Sequence, residues 1–474
     1  MHESKRVPPI IQGGMGVAVS DWRLARAVSL CGQLGVVSGT AIDTVFVRRL
    51  QDGDPEGHVR RAMDHFPLPK VVQDALARYF LPHGRPEGKG YRLLPLVKEK
   101  ISHARRELMM LASFVEVWLA KEGHPGTVGM NLLTKVQIPT LPTLYGAMLA
   151  GVDAILMGAG IPREIPGALD QLSQHEPARL KLDVEGGGDD VMLEFDPRDH
   201  WEALPPPLAR PQFLPIVASN SLATLLARKA SGRVDGFIVE GPIAGGHNAP
   251  PRGPARFNDA GEPIYGERDV VDLAALKTLG LPFWVAGGSG HPEHLRAALD
   301  AGAAGVQVGT LFAYCDESGL AQSLKSSVLA CALKGEVSVR TDARASPTGY
   351  PFKVVNWPGN PARDVARERI CDLGALRVAY RMPDSGIGYR CPGEPEEDYV
   401  KKGGAREDTV GRQCLCNGLT AAIGQAQVSK RTGAVEPPLV TSGDDLERIS
   451  GFLAGRSRYS AADVIDYLLT ERAS

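Results

Sequence analysis

The 474-residue sequence contains no apolar run of the ~18–20 residues that a bilayer-spanning helix needs. Its first residues, Met1 to Arg6, lack the apolar segment of a secretory signal, and Pro8 and Pro9 follow at once. The sequence also lacks an excess of one charge, because 53 Lys and Arg stand against 55 Asp and Glu. We therefore expect a cytoplasmic protein whose partner is neither a membrane nor a nucleic acid.

Cysteine is scarce, and the seven residues fall into two groups. Three are scattered, in contexts where a buried unreactive thiol is usual: Cys31, Cys315 and Cys331. The others are concentrated in one stretch: Cys371, Cys391, Cys414 and Cys416. Four thiols in a cytosolic protein could hold Zn²⁺ or an iron–sulfur cluster, but no C-x₂-C pair is present, and C-x-C within a helix would separate its thiols. We therefore assign no metal site and favour free structural or channel thiols, with a metal as the alternative.

Glycine, in contrast, is abundant: 54 of 474 residues exceeds the usual ~7%. The glycines follow no fixed period, which excludes a collagen-like chain. They predict many tight turns at which the backbone approaches another group closely.

Short apolar runs alternate with amphipathic segments over residues 7–335, a pattern typical of a parallel sheet built from strand–helix units. The near-continuous apolar run at residues 154–157 indicates burial on both faces, as in barrel strands. The sequence thus predicts an α/β fold, a (β/α)₈ TIM barrel. Its eight expected strands are Ile10–Gln12, Gly35–Ser38, Thr127–Leu132, Asp153–Gly158, Phe213–Ala218, Gly236–Glu240, Pro282–Ala286 and Gly305–Gly309.

Two insertions extend this barrel. Residues 40–126 show helical periodicity and predict a helical insertion. Residues 176–212 predict an acidic hairpin insertion, with strands at Leu180–Glu185 and Val191–Phe195 on either side of a glycine turn.

The alternation of short apolar runs with amphipathic segments does not continue in residues 336–474. For this part of the chain we expect a cysteine-containing helical extension that packs on the barrel. A helix is predicted over about residues 409–428, followed by two short helices capped by Ser442 and Ser460.

Catalytic and ligand-binding residues of such barrels lie at the C-terminal ends of the strands. The sixth strand leads into a glycine loop that carries His247, whose imidazole suits general acid or base chemistry near neutral pH. The loops after strands seven and eight are the usual phosphate site of the fold, and Gly287, Gly288, Gly309 and Thr310 provide small residues and exposed amides there. We therefore expect a phosphate or a phosphate-bearing cofactor.

Motifs at these strand ends resemble the nitronate monooxygenase (2-nitropropane dioxygenase-like) family of FMN-dependent barrels. They are PIIQGGMG at residues 9–16, EG at 240–241 with AGGH at 244–247, AGG at 286–288 and GVQVGT at 305–310. Asn131 matches a strand-three Asn of that family. The related flavin-dependent enoyl-acyl-carrier-protein reductases, including the enoyl reductase component of polyunsaturated fatty acid synthases, share these motifs. The resemblance covers residues 7–335.

The resemblance implies FMN, with its phosphate on the loops after strands seven and eight and its isoalloxazine ring near Met15 and Asn131. It also implies that His247 is the catalytic residue. The expected cofactor-binding residues are Gly13, Gly14, Met15, Asn131, Ser219, Gly245, Gly246, Gly287, Gly288, Gly309 and Thr310.

The activity that the resemblance implies is oxidation of a nitronate-like or other small carbon acid with O₂, with His247 as acid or base. The alternative on the same scaffold is an NAD(P)H-dependent reductase of an enoyl thioester carried by CoA or a carrier protein. The long loop after His247, with Arg252, Tyr265 and Arg268, looks more like that second branch. A non-flavin phosphate-binding barrel or a partner-binding module is a further alternative, and a homodimer is compatible with all of these.

Overall fold

A computed structural model describes residues 7–362 and 367–470; the segment Met1 to Arg6, where no secretory signal was found, lies outside the described residues. The strands are β1 Ile10–Gln12, β2 Gly35–Ser38, β3 Val128–Leu133, β4 Ala154–Gly158, β5 Ala178–Leu182, β6 Val184–Glu185, β7 Val191–Phe195, β8 Gln212–Val217, β9 Phe237–Glu240, β10 Phe283–Ala286, β11 Gly305–Val308, β12 Ser338–Asp342, β13 Phe352–Asn356, β14 Val378–Arg381 and β15 Ile387–Arg390. The α-helices are α1 Trp22–Leu30, α2 Ile42–Gln51, α3 His58–Met63, α4 Pro69–Tyr79, α5 His103–Lys121, α6 Thr140–Leu149, α7 Ile165–Ser173, α8 Asn220–Lys229, α9 Leu273–Lys277, α10 Pro292–Asp300, α11 Thr310–Ala313, α12 Gln322–Ala332, α13 Glu396–Lys401, α14 Leu415–Ala422, α15 Ile449–Leu453 and α16 Ala461–Leu469.

Eight parallel strands form the central sheet in the order β1–β11–β10–β9–β8–β4–β3–β2. The sheet closes between β1 and β2, because the Gln12 N–H donates to the Leu34 carbonyl at 3.0 Å and the Leu34 N–H donates to the Ile10 carbonyl at 3.1 Å. The (β/α)₈ barrel is therefore confirmed, and every expected strand lies within one residue of its observed bounds.

Apolar side chains from the strands form a cluster of their own. Its members include Ile11, Val36, Leu156, Leu214 and Ile238, which have no exposed surface. Because a barrel of this size is filled by its own side chains, a ligand has room only in the loops beyond the strand ends.

The helical insertion between β2 and β3 comprises α2 to α5. Its longest helix, α5, lies against α6 and α1. Gly146 permits the close approach of α6, since a Cβ there would lie 2.1 Å from the Met110 carbonyl oxygen. Among the described helices, none combines the length and the apolar character that a membrane span requires.

The acidic insertion contains an antiparallel pair, β5 and β7, with Ala178 opposite Phe195. The expected strand over Leu180–Glu185 is not continuous, because β5 ends at Leu182 and β6 pairs instead in parallel with β14 of the C-terminal region. The Asp183 N–H donates to the Gln137 side chain at 2.9 Å, which takes the backbone out of the hairpin.

The C-terminal region contains strands that the sequence analysis did not predict: β12 pairs with β13 and β14 with β15, both antiparallel. The helix expected over residues 409–428 is limited to α14. Ser460 caps α16 as expected, through a capping box with Asp463. Ser442 caps no helix, because the 3₁₀ turn Asp444–Arg448 begins after Gly443 and its cap makes no side-chain bond.

Candidate functional site

A cavity lies at the C-terminal ends of the barrel strands, lined by the loops after β1, β3, β9, β10 and β11. The structure brings together in its wall all but one of the residues that the sequence analysis selected. They are Gly13, Gly14, Met15, Asn131, Gly245, Gly246, His247, Gly287, Gly288, Gly309 and Thr310.

Ser219 is the exception. Its hydroxyl accepts a hydrogen bond from the Leu222 N–H at 3.0 Å and caps the N-terminus of α8. The structure thus corrects the expectation that Ser219 lines the cofactor site: it follows a barrel strand, but its polar atom belongs to the helix.

The loop after β1 is held rigidly at the edge of the cavity. The Ser20 hydroxyl donates to the Gly13 carbonyl and accepts from the Met15 N–H, both at 2.8 Å. Gly14 lies directly on Asn131, since a Cβ at Gly14 would be 2.1 Å from the Asn131 Cβ. The absence of a side chain at Gly14 therefore sets how closely this loop approaches strand β3.

Glycine has different roles in the loops after β10 and β11: a backbone conformation that requires it in the first loop, and open space in the second. Gly287 and Gly288 have φ values of +90° and +66°, which other residues rarely adopt. Gly309 has an ordinary φ of −106°, and the nearest atom that its Cβ would meet is Met15 Sδ at 3.7 Å. Gly309 is therefore not required by the backbone; it leaves open space in the cavity.

The C-terminal region completes the cavity wall with residues that the sequence analysis missed. The Thr441 hydroxyl accepts from the Gly246 N–H at 3.0 Å, and the Gly443 N–H donates to the Thr310 hydroxyl at 3.0 Å. Asp445 accepts from the Gly290 N–H at 3.1 Å. No local sequence motif marks residues 441–445 as part of the site. They lie far along the chain from the barrel loops that they contact, so the contact is visible only in the folded structure.

His247 lies on the cavity wall with its Nε2 2.7 Å from the Ser346 hydroxyl. Ser346 in turn lies 2.8 Å from the Thr348 hydroxyl, and the Phe352 ring packs edge-on against the imidazole with centroids 4.9 Å apart. Burial lowers the pKa of His247 to about 4, so the imidazole is neutral at pH 7.

Glu240, at the end of β9, is a second titratable residue of the cavity wall. Burial raises the pKa of Glu240 to about 8, so its carboxyl is protonated at pH 7. Glu240 belongs to one of the family-like motifs of the sequence, at residues 240–241, but no role was predicted for it. The cavity therefore holds a neutral imidazole and a neutral carboxylic acid, a combination that can accept a proton at one group and donate one at the other.

A second cavity of about 540 Å³ adjoins the first, and Ala41, Ala375 and Leu376 line both. Thr348 also lines it, so the Ser346–Thr348 pair connects His247 to this space. Its cationic lining residues are Arg105, Lys135, Lys181 and Arg377.

The first cavity fits the FMN that the sequence analysis expected. Gly309 leaves free space beside the Thr310 hydroxyl, as a phosphate requires, and a Cβ at Gly246 would meet no atom within 4 Å. The loop at Gly13 to Met15 offers backbone without bulky side chains to a flat ring. Asp445 occupies the Gly290 amide, which is therefore not available to an anion.

Comparison with known proteins supports the resemblance. Residues 208–346 match the family model described as nitronate monooxygenase. A curated nitronate monooxygenase of Pseudomonas aeruginosa is 34% identical over 159 residues, which cover 33% of this chain and 38% of that protein. The chain thus spans well under half the length of this relative. The resemblance to the nitronate monooxygenase family is confirmed for the part of the barrel that carries His247 and the loops after β10 and β11.

The solved structures that resemble this chain do so at low sequence identity and with TM-scores below 0.5. FabK from Thermotoga maritima is 17% identical, covering 98% of this chain and 91% of its own, with a TM-score of 0.47. Nitroalkane oxidase from Streptomyces ansochromogenes is 15% identical, covering 97% and 94%, with a TM-score of 0.43. The enoyl reductase domain of MlnA from Bacillus amyloliquefaciens is 11% identical, covering 97% and 92%, with a TM-score of 0.47.

Proposed function

We propose that the chain is an FMN-dependent oxidoreductase of the nitronate monooxygenase superfamily. The observation that carries this proposal is the glycine-walled cavity at the strand ends, with His247 in its wall. The family match over residues 208–346 supports it, since that segment includes His247 and Gly309.

In this proposal, Gly287, Gly288, Gly309 and Thr310 hold the FMN phosphate. Gly13, Gly14, Met15 and Asn131 lie along the isoalloxazine ring, and Gly245 and Gly246 complete the wall. When bound, FMN supplies the acceptance and release of electrons or hydride, which no protein side chain provides.

His247 is proposed as the acid or base of the reaction. Its neutral imidazole can accept a proton from the α-carbon of a carbon acid, and the Ser346 hydroxyl at 2.7 Å fixes the orientation of the ring. The protonated Glu240 adds no negative charge of its own to the cavity wall while the proton moves.

The proposed substrate is a nitronate-like or other small carbon acid, with O₂ as the final oxidant. This choice follows the Pseudomonas aeruginosa relative, which is named nitronate monooxygenase. The first cavity is closed on one side by the C-terminal segment at Thr441 to Asp445, which favours a small substrate.

The second cavity favours another candidate, an NAD(P)H-dependent reductase of an enoyl thioester. Asp43, Asp183 and Glu185 also line this cavity, and Arg105 is paired with Asp43 and Lys181 with Asp190. Lys135 and Arg377 would therefore be the cations that attract the phosphate groups of NAD(P)H or of a pantetheine arm. Because this cavity shares part of its wall with the first one, a long substrate could reach His247 through it.

Anaerobic stopped-flow reduction distinguishes the two activities. We expect a nitronate to bleach the protein-bound flavin and O₂ to restore it, while NADH and NADPH reduce it slowly. Rapid reduction by NAD(P)H without nitronate turnover would reject carbon-acid oxidation in favour of the reductase. The His247→Ala variant is the matched control, because it should retain flavin yet lose reduction by the true substrate.

A further inference from the structure

Two histidines and a glutamate from the two barrel insertions lie in contact with one another. His103 and Glu107 belong to α5 of the helical insertion, and His200 ends the 3₁₀ turn Pro197–His200 that follows β7 of the acidic insertion. Their ligand atoms all lie within 4.8 Å of one another. The described residues that line the two cavities at the barrel mouth include none of these three.

The start of α5 presents two of the three groups on one face. Residues four apart on a helix are neighbours, and the His103 Nε2 lies 3.0 Å from the Glu107 Oε1. Ser102 caps this end of the helix, because its hydroxyl accepts from the Arg105 N–H at 3.3 Å. The cap fixes His103 as the first residue of the helix and Glu107 one turn further on.

Aromatic contacts hold the third group, His200, in place. Its ring stacks on the Phe195 ring with centroids 5.4 Å apart, and on the His103 ring with centroids 4.2 Å apart. The next residue, Trp201, donates from its indole N–H to the Tyr145 hydroxyl at 2.9 Å, which ties this segment to α6. Packing therefore brings the His200 imidazole to the start of α5.

The His200 imidazole is buried without a hydrogen-bond partner. Its side chain has no exposed surface, and neither ring nitrogen makes a hydrogen bond to any of the described residues. The Nδ1 lies 3.5 Å from the Glu107 Oε1 but without the geometry of a hydrogen bond. Buried polar groups rarely lack a partner, and a bound ion is one way in which such a group is satisfied.

The separations between the three groups suit ligands of one ion. Zinc bonds of ~2.0–2.2 Å to nitrogen and oxygen in a tetrahedron place the ligand atoms ~3.4 Å apart. The Glu107 Oε1 lies 3.0 Å from His103 and 3.5 Å from His200, close to that value for both. The His103 side chain is 55% exposed, so it can turn toward the His200 nitrogen without disturbing the core.

The chemistry of the ligand set selects the class of metal. The set contains two imidazoles and one carboxylate, and the guanidinium of Arg106 acts on His200 as an opposing positive charge. Ca²⁺ and Mg²⁺ need several oxygen ligands, whereas Zn²⁺ binds two imidazoles and one carboxylate and keeps a water as its fourth ligand. Nitrogen ligands, rather than excess negative charge, would provide the affinity here.

We propose that His103, Glu107 and His200 bind Zn²⁺, with water as the fourth ligand. The ion would join the two insertions, since two ligands come from α5 and one from the turn after β7. The sequence analysis assigned no metal site, because the residues lie far apart along the chain. This inference does not depend on the proposed FMN chemistry, since the three residues lie outside the cavity that would hold FMN.

The test is a zinc titration of full-length protein freed of metal, in competition with a chromogenic zinc chelator. We expect ~1 competing site per chain. Glu107→Gln preserves the shape of the side chain, and His103→Ala removes an exposed one. Each should raise the Kd for zinc ~100-fold or more, because loss of an outer partner alone costs ~10–100-fold. His83→Ala, which removes another exposed histidine, should keep the wild-type Kd.

An unchanged Kd for zinc in either ligand variant, or wild-type protein that does not compete with the chelator, would overturn the proposal. Zinc should also raise the melting temperature of the wild type more than that of Glu107→Gln, because a ligand of the folded state stabilises it. Equal shifts in the two proteins would contradict the site.

Co²⁺ in place of zinc gives a measurement on the wild type alone. Bound by imidazole and carboxylate, Co²⁺ should show visible d–d absorption without the intense near-ultraviolet bands of thiolate ligands. Thiolate bands would assign the metal to the cysteines and overturn the proposal. FMN content measured on the same samples separates failure of this proposal from failure of the proposed function.

Discussion

Replacing Gly309 with aspartate should remove FMN from the protein while leaving the barrel folded. The backbone at Gly309 has φ −106° and ψ −60°, which any residue can adopt. A Cβ there would meet only Met15 atoms, at 3.7 Å and beyond, so the new side chain extends into the cavity without steric conflict. The folded protein should therefore lose little stability.

The expected loss of FMN affinity follows from electrostatics. A carboxylate ~4 Å from the phosphate repels each unit of negative charge by ~4 kcal/mol at an effective dielectric constant of ~20. That energy corresponds to a ~10³-fold higher Kd for FMN. Gly309→Ala adds volume without charge, and it should raise the Kd by ~10-fold or less.

The assay is FMN fluorescence quenching by the apoprotein, with thermal melting as the measure of folding. Gly288→Asp is the contrasting variant, because a side chain at this position is strained. The φ of Gly288 is +66°, and a Cβ there would lie 2.4 Å from the Ile243 Cδ1. That variant should lose stability as well as FMN. A Gly309→Asp protein that binds FMN as tightly as the wild type would refute the placement of the phosphate.

Three further predictions concern the titratable residues of the cavity. His247→Ala should retain FMN and lower kcat by ~10²–10⁴-fold, measured with the substrate that reduces the flavin; unchanged turnover would remove His247 from the mechanism. Burial raises the pKa of Glu240 to about 8, so kcat/KM should fall above that pH as a negative charge enters the cavity. In Glu240→Gln, kcat/KM should stay constant above that pH. If kcat/KM falls in this variant as it does in the wild type, another group causes the fall. Burial lowers the pKa of His247 from 6.5 in the unfolded chain to about 4 in the folded protein. Because the unfolded chain then binds this proton at a higher pH, the free energy of unfolding measured in urea melts should fall as the pH drops below ~6.5. His247→Gln should reduce that dependence, and an undiminished slope would attribute it to other residues.

The barrel could be predicted from the sequence because its strands are short apolar runs, and five of the eight, β1, β2, β9, β10 and β11, are followed directly by glycine. These two signals are local, and they gave the bounds of strands such as β1 and β2 without error. The C-terminal strands lack these signals. β12 and β14 contain charged residues, and the segments before them do not alternate regularly between apolar and amphipathic stretches. Their pairing depends on tertiary contacts, such as that between β14 and β6.

The residues of the candidate site also fall into those that could be predicted from the sequence and those that could not. Gly309 and His247 could be identified from their positions after barrel strands. Ser346 and Asp445 could not, because they reach the cavity from a region that folds back over the barrel. Ser219 shows the converse error, since a strand-end position was correct but the hydroxyl caps a helix.

The flavin content of the purified full-length protein is the decisive measurement for the proposed FMN site. We predict ~1 FMN per chain, released on denaturation and identified as FMN by chromatography, with the visible absorption bands of an oxidised flavin in the native protein. Protein that is folded by circular dichroism yet carries no flavin, and takes up none when incubated with FMN, would contradict the account and favour a non-flavin phosphate-binding barrel.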